Sequence, residues 1–163
     1  MVLYYMENEE TSIMKIVVAS DNHRDLTLLK RIVQLHSDAD LFLHAGDSGL
    51  DEREIEPFLT VKGNQDFLVK NNYRILELGS IRIYLMHGHR TFLSLNRLEA
   101  LARENNCQII IHGHTHVPYY RLVNGIHILC PGSLRYPRSR RGTTYALILI
   151  NDEKNIQIEI LDI

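Results

Sequence analysis

Nine histidines occur in the 163-residue chain, and all but His36 and His127 crowd the ends of apolar runs. The densest group is Ile109-Ile110-Ile111-His112-Gly113-His114-Thr115-His116, in which three β-branched residues run into three histidines within five positions. A buried strand that turns at a glycine and projects imidazoles is a place to hold a metal, because neutral imidazole ligates Zn, Mn, Fe and Ni. Four more apolar runs end in Asp, Asn, His and Gly: at Asp21-Asn22-His23, Gly46-Asp47, Gly63-Asn64 and His87-Gly88-His89. Together they offer Asp21, His23, Asp47, Asn64, His87, His114 and His116, more ligands than one metal needs. The set suits two cations that share a carboxylate and clamp a phosphoryl group at a separation of about 3.5–4 Å. It contains no thiolate, which excludes a structural cysteine-zinc site.

The elements that must bring these tips together are readable from periodicity. Lys15–Ala19 is a short apolar strand, followed by a helical spacing through Leu26, Leu29, Ile32 and Val33. The strands Asp40–His44 and Phe58–Val61 follow, separated by an acidic stretch read as a short helix closed by Pro57. Residues 73–78 and 81–86 form a hairpin about Gly79-Ser80, residues 92–104 an amphipathic helix, and Ile109–Ile111 the next strand. After His116 there are four strand patterns without helices, read as an antiparallel meander with a turn at Asn124-Gly125. The expected fold is α/β in its first part, with ligands gathered outside the carboxyl ends of the strands. Residues 1–13 show no periodicity and read as a flexible extension, leaving residues 14–163 as one domain.

Composition narrows the function classes. Apolar residues make up 45%, charged residues 23%, and the net charge is -2, so no general nucleic-acid or membrane surface is expected. No apolar run is long enough to span a bilayer, and the start lacks the pattern of a secretory signal. Cys107 and Cys130 are too few for a disulfide framework and read as buried thiols of a cytoplasmic protein.

The ordered set Asp-x-His, Gly-Asp, Gly-Asn-x-Asp, His-Gly-His and Gly-His-Thr-His resembles the calcineurin-like metallophosphoesterase superfamily, in particular its small YfcE-like phosphodiesterase branch. The resemblance runs from Met14 to about Arg138 and implies a two-sheet β-sandwich flanked by helices. It also implies two divalent metals: manganese, or else zinc, iron or nickel. One would take Asp21, His23, Asp47 and His116, and the other Asp47, Asn64, His87 and His114, with Asp47 bridging. Asp47, Asn64 and His89 are the candidate catalytic residues and His89 a candidate substrate contact, while Arg24 either reaches a substrate phosphate or is a solvated residue on the first helix. The chain departs from the family pattern at three places. Cys130 precedes Pro131-Gly132-Ser133 where the family has Asn, Arg24 follows His23 in place of Gly, and Gln65 stands where larger relatives carry a catalytic His.

Several residues admit two readings. His89 is either a substrate contact or a support for a ligand, and Asp66 either supports a ligating His or stabilises its turn. His44 and His112 read as supports for a ligand or packing residues rather than ligands, His36 and His127 as structural or exposed. The run Arg135, Arg138, Arg140 and Arg141 either contacts an anion or solubilises a loop. The leading function is a phosphodiesterase in which a metal-bound hydroxide attacks phosphorus; the small-molecule phosphoester is its partner, and a homo-oligomer is compatible with the sequence. The rivals are a phosphomonoesterase or a nucleotide or protein phosphatase on the same site, and a non-enzymatic scaffold of the retromer-subunit type. A scaffold has no need of all seven ligands, and all seven are present.

Overall fold

The computed structural model describes residues 12–163. The expected extension lies outside the described residues as far as residue 11. Its last two residues belong to the fold: the Ser12 amide donates to Asp152 Oδ2 at 2.8 Å, and Ile13 opens strand β1 (Ile13–Ala19) opposite Asn151. Strand β1 therefore begins one residue before Met14. The reason is a pairing partner at the far end of the chain, which local periodicity does not register.

The order continues with α1 (Thr27–Leu35), β2 (Leu41–His44), a 3₁₀ turn (Glu52–Ile55), β3 (Phe58–Thr60), β4 (Tyr73–Leu78) and β5 (Ile81–Met86). Then come α2 (Leu95–Glu104), β6 (Ile109–Ile111), β7 (Tyr119–Val123), β8 (Ile126–Cys130), β9 (Thr144–Asn151) and β10 (Ile156–Asp162). Helix α2 starts at Leu95, three residues after the apolar pattern begins. Ser94 sets that start, because its Oγ accepts from the Arg97 amide at 3.3 Å. Phe92 is left in the preceding loop, 87% exposed.

The strands form two five-stranded sheets, ordered β10-β9-β1-β2-β3 and β4-β5-β6-β8-β7. The four C-terminal strands pair antiparallel as two hairpins, but the hairpins go to different sheets. β7–β8 joins the second sheet with β8 parallel to β6, and β9–β10 joins the first with β9 antiparallel to β1. The long loop between Cys130 and Thr144 makes that change of sheet.

Alternation along the strands explains the layers. Ile16, Val18, Leu43, Ile83, Leu85, Ile109 and Ile111 point inward and form the seam between the sheets. Val17, Ala19 and Phe42 point outward and are covered by Leu29 and Ile32 of α1. Tyr84, Met86, Ile110 and Ile128 point the other way under Leu98 and Ala102 of α2. Strands β1, β2, β3, β5 and β6 bury both faces, and their polar tips emerge at one edge of the sandwich. No helix among the described residues is long and apolar enough to cross a membrane.

Candidate metal centre

The tips of β1 and β2 are laced together by backbone bonds. The amides of Asp21, His23 and Arg24 donate to the carbonyls of Gly46, Asp47 and Ser48 at 3.0, 3.1 and 2.7 Å. Across the sandwich, the Gly113 amide donates to the His87 carbonyl at 3.0 Å, joining the tips of β5 and β6. The two sheets meet at Gly113, where a Cβ would strike Ser20 Oγ and Asp21 Oδ2. Five of the seven expected ligands sit at positive φ: Asp21 (55°), His23 (41°), Asp47 (57°), His114 (71°) and His116 (60°). Such backbone costs about 1–3 kcal/mol per residue and persists where the surroundings hold it, which is typical of functional sites.

Two groups of ligand atoms converge, Asp21 with His23 and His116, and Asp21 with Asp47 and His87; within each group the atoms lie within 4.8 Å of one another. His116 Nε2 is 3.1 Å and His23 Nε2 3.7 Å from Asp21 Oδ1, and the two nitrogens are 3.3 Å apart. His87 Nε2 is 3.3 Å from Asp47 Oδ2 and 4.0 Å from Asp21 Oδ1. Backbone carbonyls fix which nitrogen faces the centre. His87 Nδ1 donates to the Ala45 carbonyl and His116 Nδ1 to the Tyr136 carbonyl, each at 2.7 Å, so both rings present Nε2. Asp21 Oδ1, fully buried, has no hydrogen-bond partner of its own, whereas Oδ2 accepts from Ser20 Oγ at 2.5 Å and the His114 amide at 3.1 Å. An orphaned carboxylate oxygen facing three imidazole nitrogens fits a divalent cation.

The electrostatics agree. Burial raises the Asp21 carboxyl, but the imidazoles of His116 and His87 and the Ser20 hydroxyl outweigh it and leave its pKa below the ordinary carboxylate value. Asp47 is lowered as well: burial opposes, and His87 and the Gln65 amide prevail. The carboxylates raise His116, through its contact with Asp21, and His87, where they overcome burial. Burial lowers His23 and His114 and keeps them neutral, the form that binds metal.

The remaining expected residues lie around this core, outside the two ligand groups. Asn64 is exposed, with its Oδ1 3.1 Å from His87 Nε2. The His114 ring lies 5.1 Å from that of His87, outside both compact groups. The His89 ring lies tilted near both, at 5.4 Å from His87 and 6.4 Å from His114, and its buried Nδ1 has no partner. Arg24 is exposed and donates to the Gly49 carbonyl at 3.4 Å. Asp66 takes the turn-stabilising role: it accepts from the amides of Asp47, Gly63 and Gly49 at 2.7, 2.8 and 2.7 Å. Gln65 acts through its backbone, donating to Asp47 Oδ1 at 2.8 Å.

His44 and His112 are packing residues, bonded to Asn22 and Thr60 and to Tyr119 and the Gly113 carbonyl, with burial pushing each pKa down to about 4. His36 and His127 each pair with a tyrosine hydroxyl at 2.7 Å. In the arginine run, Arg135 pairs with Asp25 and Arg141 with Asp162.

Residue types did not disclose the role of the loop after β8. Ser133 Oγ donates to the Asp21 carbonyl at 2.9 Å, the Tyr136 carbonyl holds His116, and the Tyr136 ring rests 5.2 Å from that of His23. The Pro131-Gly132-Ser133 stretch was the available signal.

The family model for the calcineurin-like phosphoesterase superfamily domain matches residues 14–153, and the chain belongs to that family. Among curated relatives, the probable metallophosphoesterase YsnB of Bacillus subtilis is 33% identical over 86% of each chain. The phosphodiesterase YfcE of Escherichia coli K12 is 24% identical, over 83% of this chain and 87% of its own. A Streptococcus pneumoniae TIGR4 structure titled as a predicted phosphoesterase superposes with a TM-score of 0.83 at 32% identity, covering 93% of this chain and 90% of that one.

Proposed function

We propose that the protein is a dinuclear-metal phosphodiesterase. The observation that carries this reading is the convergence of Asp21, His23, Asp47, His87 and His116, from strand tips of both sheets, into two overlapping ligand groups. One cation is assigned to Asp21, His23, Asp47 and His116, and the other to Asp47, Asn64, His87 and His114, with Asp47 shared. When bound, divalent cations such as manganese, zinc, iron or nickel neutralise phosphoryl oxygens and supply an activated water for in-line attack.

The chain's own residues do the rest. The Ala45 and Tyr136 carbonyls keep His87 and His116 in one tautomer. Asn64 turns its Oδ1 to His87, leaving its amide NH₂ to donate to a phosphoryl oxygen. His89, half-buried beside His87, is the group available to contact or protonate the leaving oxygen through Nε2, its Nδ1 being buried, since the Gln65 amide cannot act as an acid. Arg24 stands at the exposed margin as a cation for the anionic substrate.

The test combines elemental analysis and anomalous scattering of manganese-loaded protein with turnover of bis(p-nitrophenyl) phosphate and p-nitrophenyl phosphate. Two adjacent metals and faster diester turnover are expected. A single tetrahedral site with Asp47 uncoordinated, or a preference for the monoester, would refute the reading.

A further inference from the structure

Beside the metal centre lies a cavity of ≈ 270 Å³ that is lined by none of the seven expected ligands. His89 and Gly88 form one wall, so it adjoins the centre on the His87 side. Tyr73 and Tyr84 form another. Their rings are parallel within 3° at 5.2 Å between centroids, diagonal neighbours on the β4–β5 pair. Tyr84 is nearly buried under α2, while Tyr73 is half exposed and open to a ligand. The other polar side chains around this flat wall are Asn72, Arg90, Thr91 and Arg97, and no carboxylate lines the cavity. Arg97 has only a long 3.5 Å contact to Glu104, and both side chains are largely exposed, so its guanidinium is free to turn inward.

Each feature selects ligand chemistry. Parallel aromatic faces and guanidinium planes stack on planar rings. Two cations and an amide, with no acidic partner, favour hydrogen-bond acceptors over donors. The volume, at ≈ 270 Å³, is just under the roughly 300–1,000 Å³ of pockets for drug-sized ligands, and so suits one ring system. A planar, acceptor-edged ring joined to a phosphate is a nucleotide with a carbonyl-bearing base. Arginine reads such an edge through paired acceptors, as in guanine O6 and N7.

We propose that this cavity is the base subsite of the enzyme, taking the carbonyl-bearing nucleobase of a nucleotide diester while the phosphate sits at the metals. It rests on the phosphodiesterase reading of the centre and narrows its substrate class to nucleotides. His89, on the shared wall, lies where the base-bearing leaving group joins the phosphate.

The test is a titration of metal-loaded protein with guanosine 5′-monophosphate and with ribose 5-phosphate, followed by calorimetry and by the tyrosine ring resonances in NMR. The nucleotide is expected to bind about tenfold more tightly than the sugar phosphate, the gain that one base–aromatic stack supplies. It alone should shift tyrosine ring signals. Tyr73→Ala and Arg97→Ala replace exposed side chains and should leave the circular dichroism spectrum unchanged; each should bring the two affinities together. Equal affinity in the wild type, or discrimination that survives both substitutions, would overturn the proposal. Turnover of bis(p-nitrophenyl) phosphate by the same preparation reports separately on the metal centre, so either can fail without the other.

Discussion

The Asp66 carboxylate accepts the backbone amide of Asp47 at 2.7 Å, so one buried acid sets the position of another. The same carboxylate accepts from Gly49 and Gly63, and thereby ties the loop after β2 to the loop after β3. Asn at position 66 keeps one acceptor oxygen and turns an NH₂ toward an amide that already donates. Asp66→Asn should therefore cost about 1.5–3 kcal/mol of stability. It should also weaken metal binding by about 10–100-fold, as removal of a ligand's support does elsewhere. Urea unfolding and metal titration read the two effects; unchanged metal affinity would mean that Asp66 serves the turn alone.

Asp47→Asn removes the proposed shared carboxylate from a loop and leaves the core untouched. Turnover should vanish and both metals should be lost, with the circular dichroism spectrum intact. Asp21 is the comparison, because its Oδ1 belongs to both ligand groups in this geometry. If Asp21→Asn empties both sites while Asp47→Asn spares one, the sharing falls to Asp21.

Leaving-group dependence tests the missing acid. With Gln65 in place of a histidine, diesters of acidic alcohols should react much faster than those of basic ones. Gln65→His should raise the slow members of the series by about 10²-fold. A flat wild-type profile that collapses in His89→Ala would identify His89 as an acid already in place.

His44 predicts an acid limit to stability. Wholly buried between Asn22 and Thr60, it is held neutral, with its pKa lowered from 6.5 to about 4. The unfolded chain takes up this proton first as pH falls. Its contribution is thus complete above pH 6.5 and is lost progressively toward pH 4, on the order of 3 kcal/mol in all. Urea unfolding of metal-free protein between pH 7 and pH 4.5 should show this slope, and His44→Gln should reduce it, the remainder coming from buried His112, whose pKa is also lowered to about 4. Equal slopes in the two proteins would remove His44 as the cause.

Much of this arrangement was legible in the residues. Each apolar run that ends in Asp, His or Gly became a buried strand with its polar tip at the common edge, because a strand buried on both faces has only its end to offer to chemistry. What stayed hidden depends on contacts between distant segments or on backbone atoms. The carbonyls of Ala45 and Tyr136 that orient His87 and His116 belong to no side chain, so no residue type announces them. The separation of the β7–β8 and β9–β10 hairpins into different sheets depends on the path of the loop between them, which carries no periodicity. Positive φ at Asp21, Asp47 and three histidines is likewise a demand of the assembled centre rather than of local sequence. The Tyr73–Tyr84 stack required the register of β4 on β5.

The proposed ligands are drawn from both leaves of the sandwich: Asp21, His23, Asp47 and Asn64 from one, and His87, His114 and His116 from the other. The seam of Leu43, Leu85 and Ile111 is therefore a spacer as well as a core. Its thickness sets the gap that the carboxylates and imidazoles must span. Leu43→Ala should cost about 2–5 kcal/mol, and wherever the sheets settle into the void the gap changes with them. Hydrocarbon that holds no metal thus sets the tolerance of the metal chemistry, and a change there would register in metal selectivity as well as in the fold.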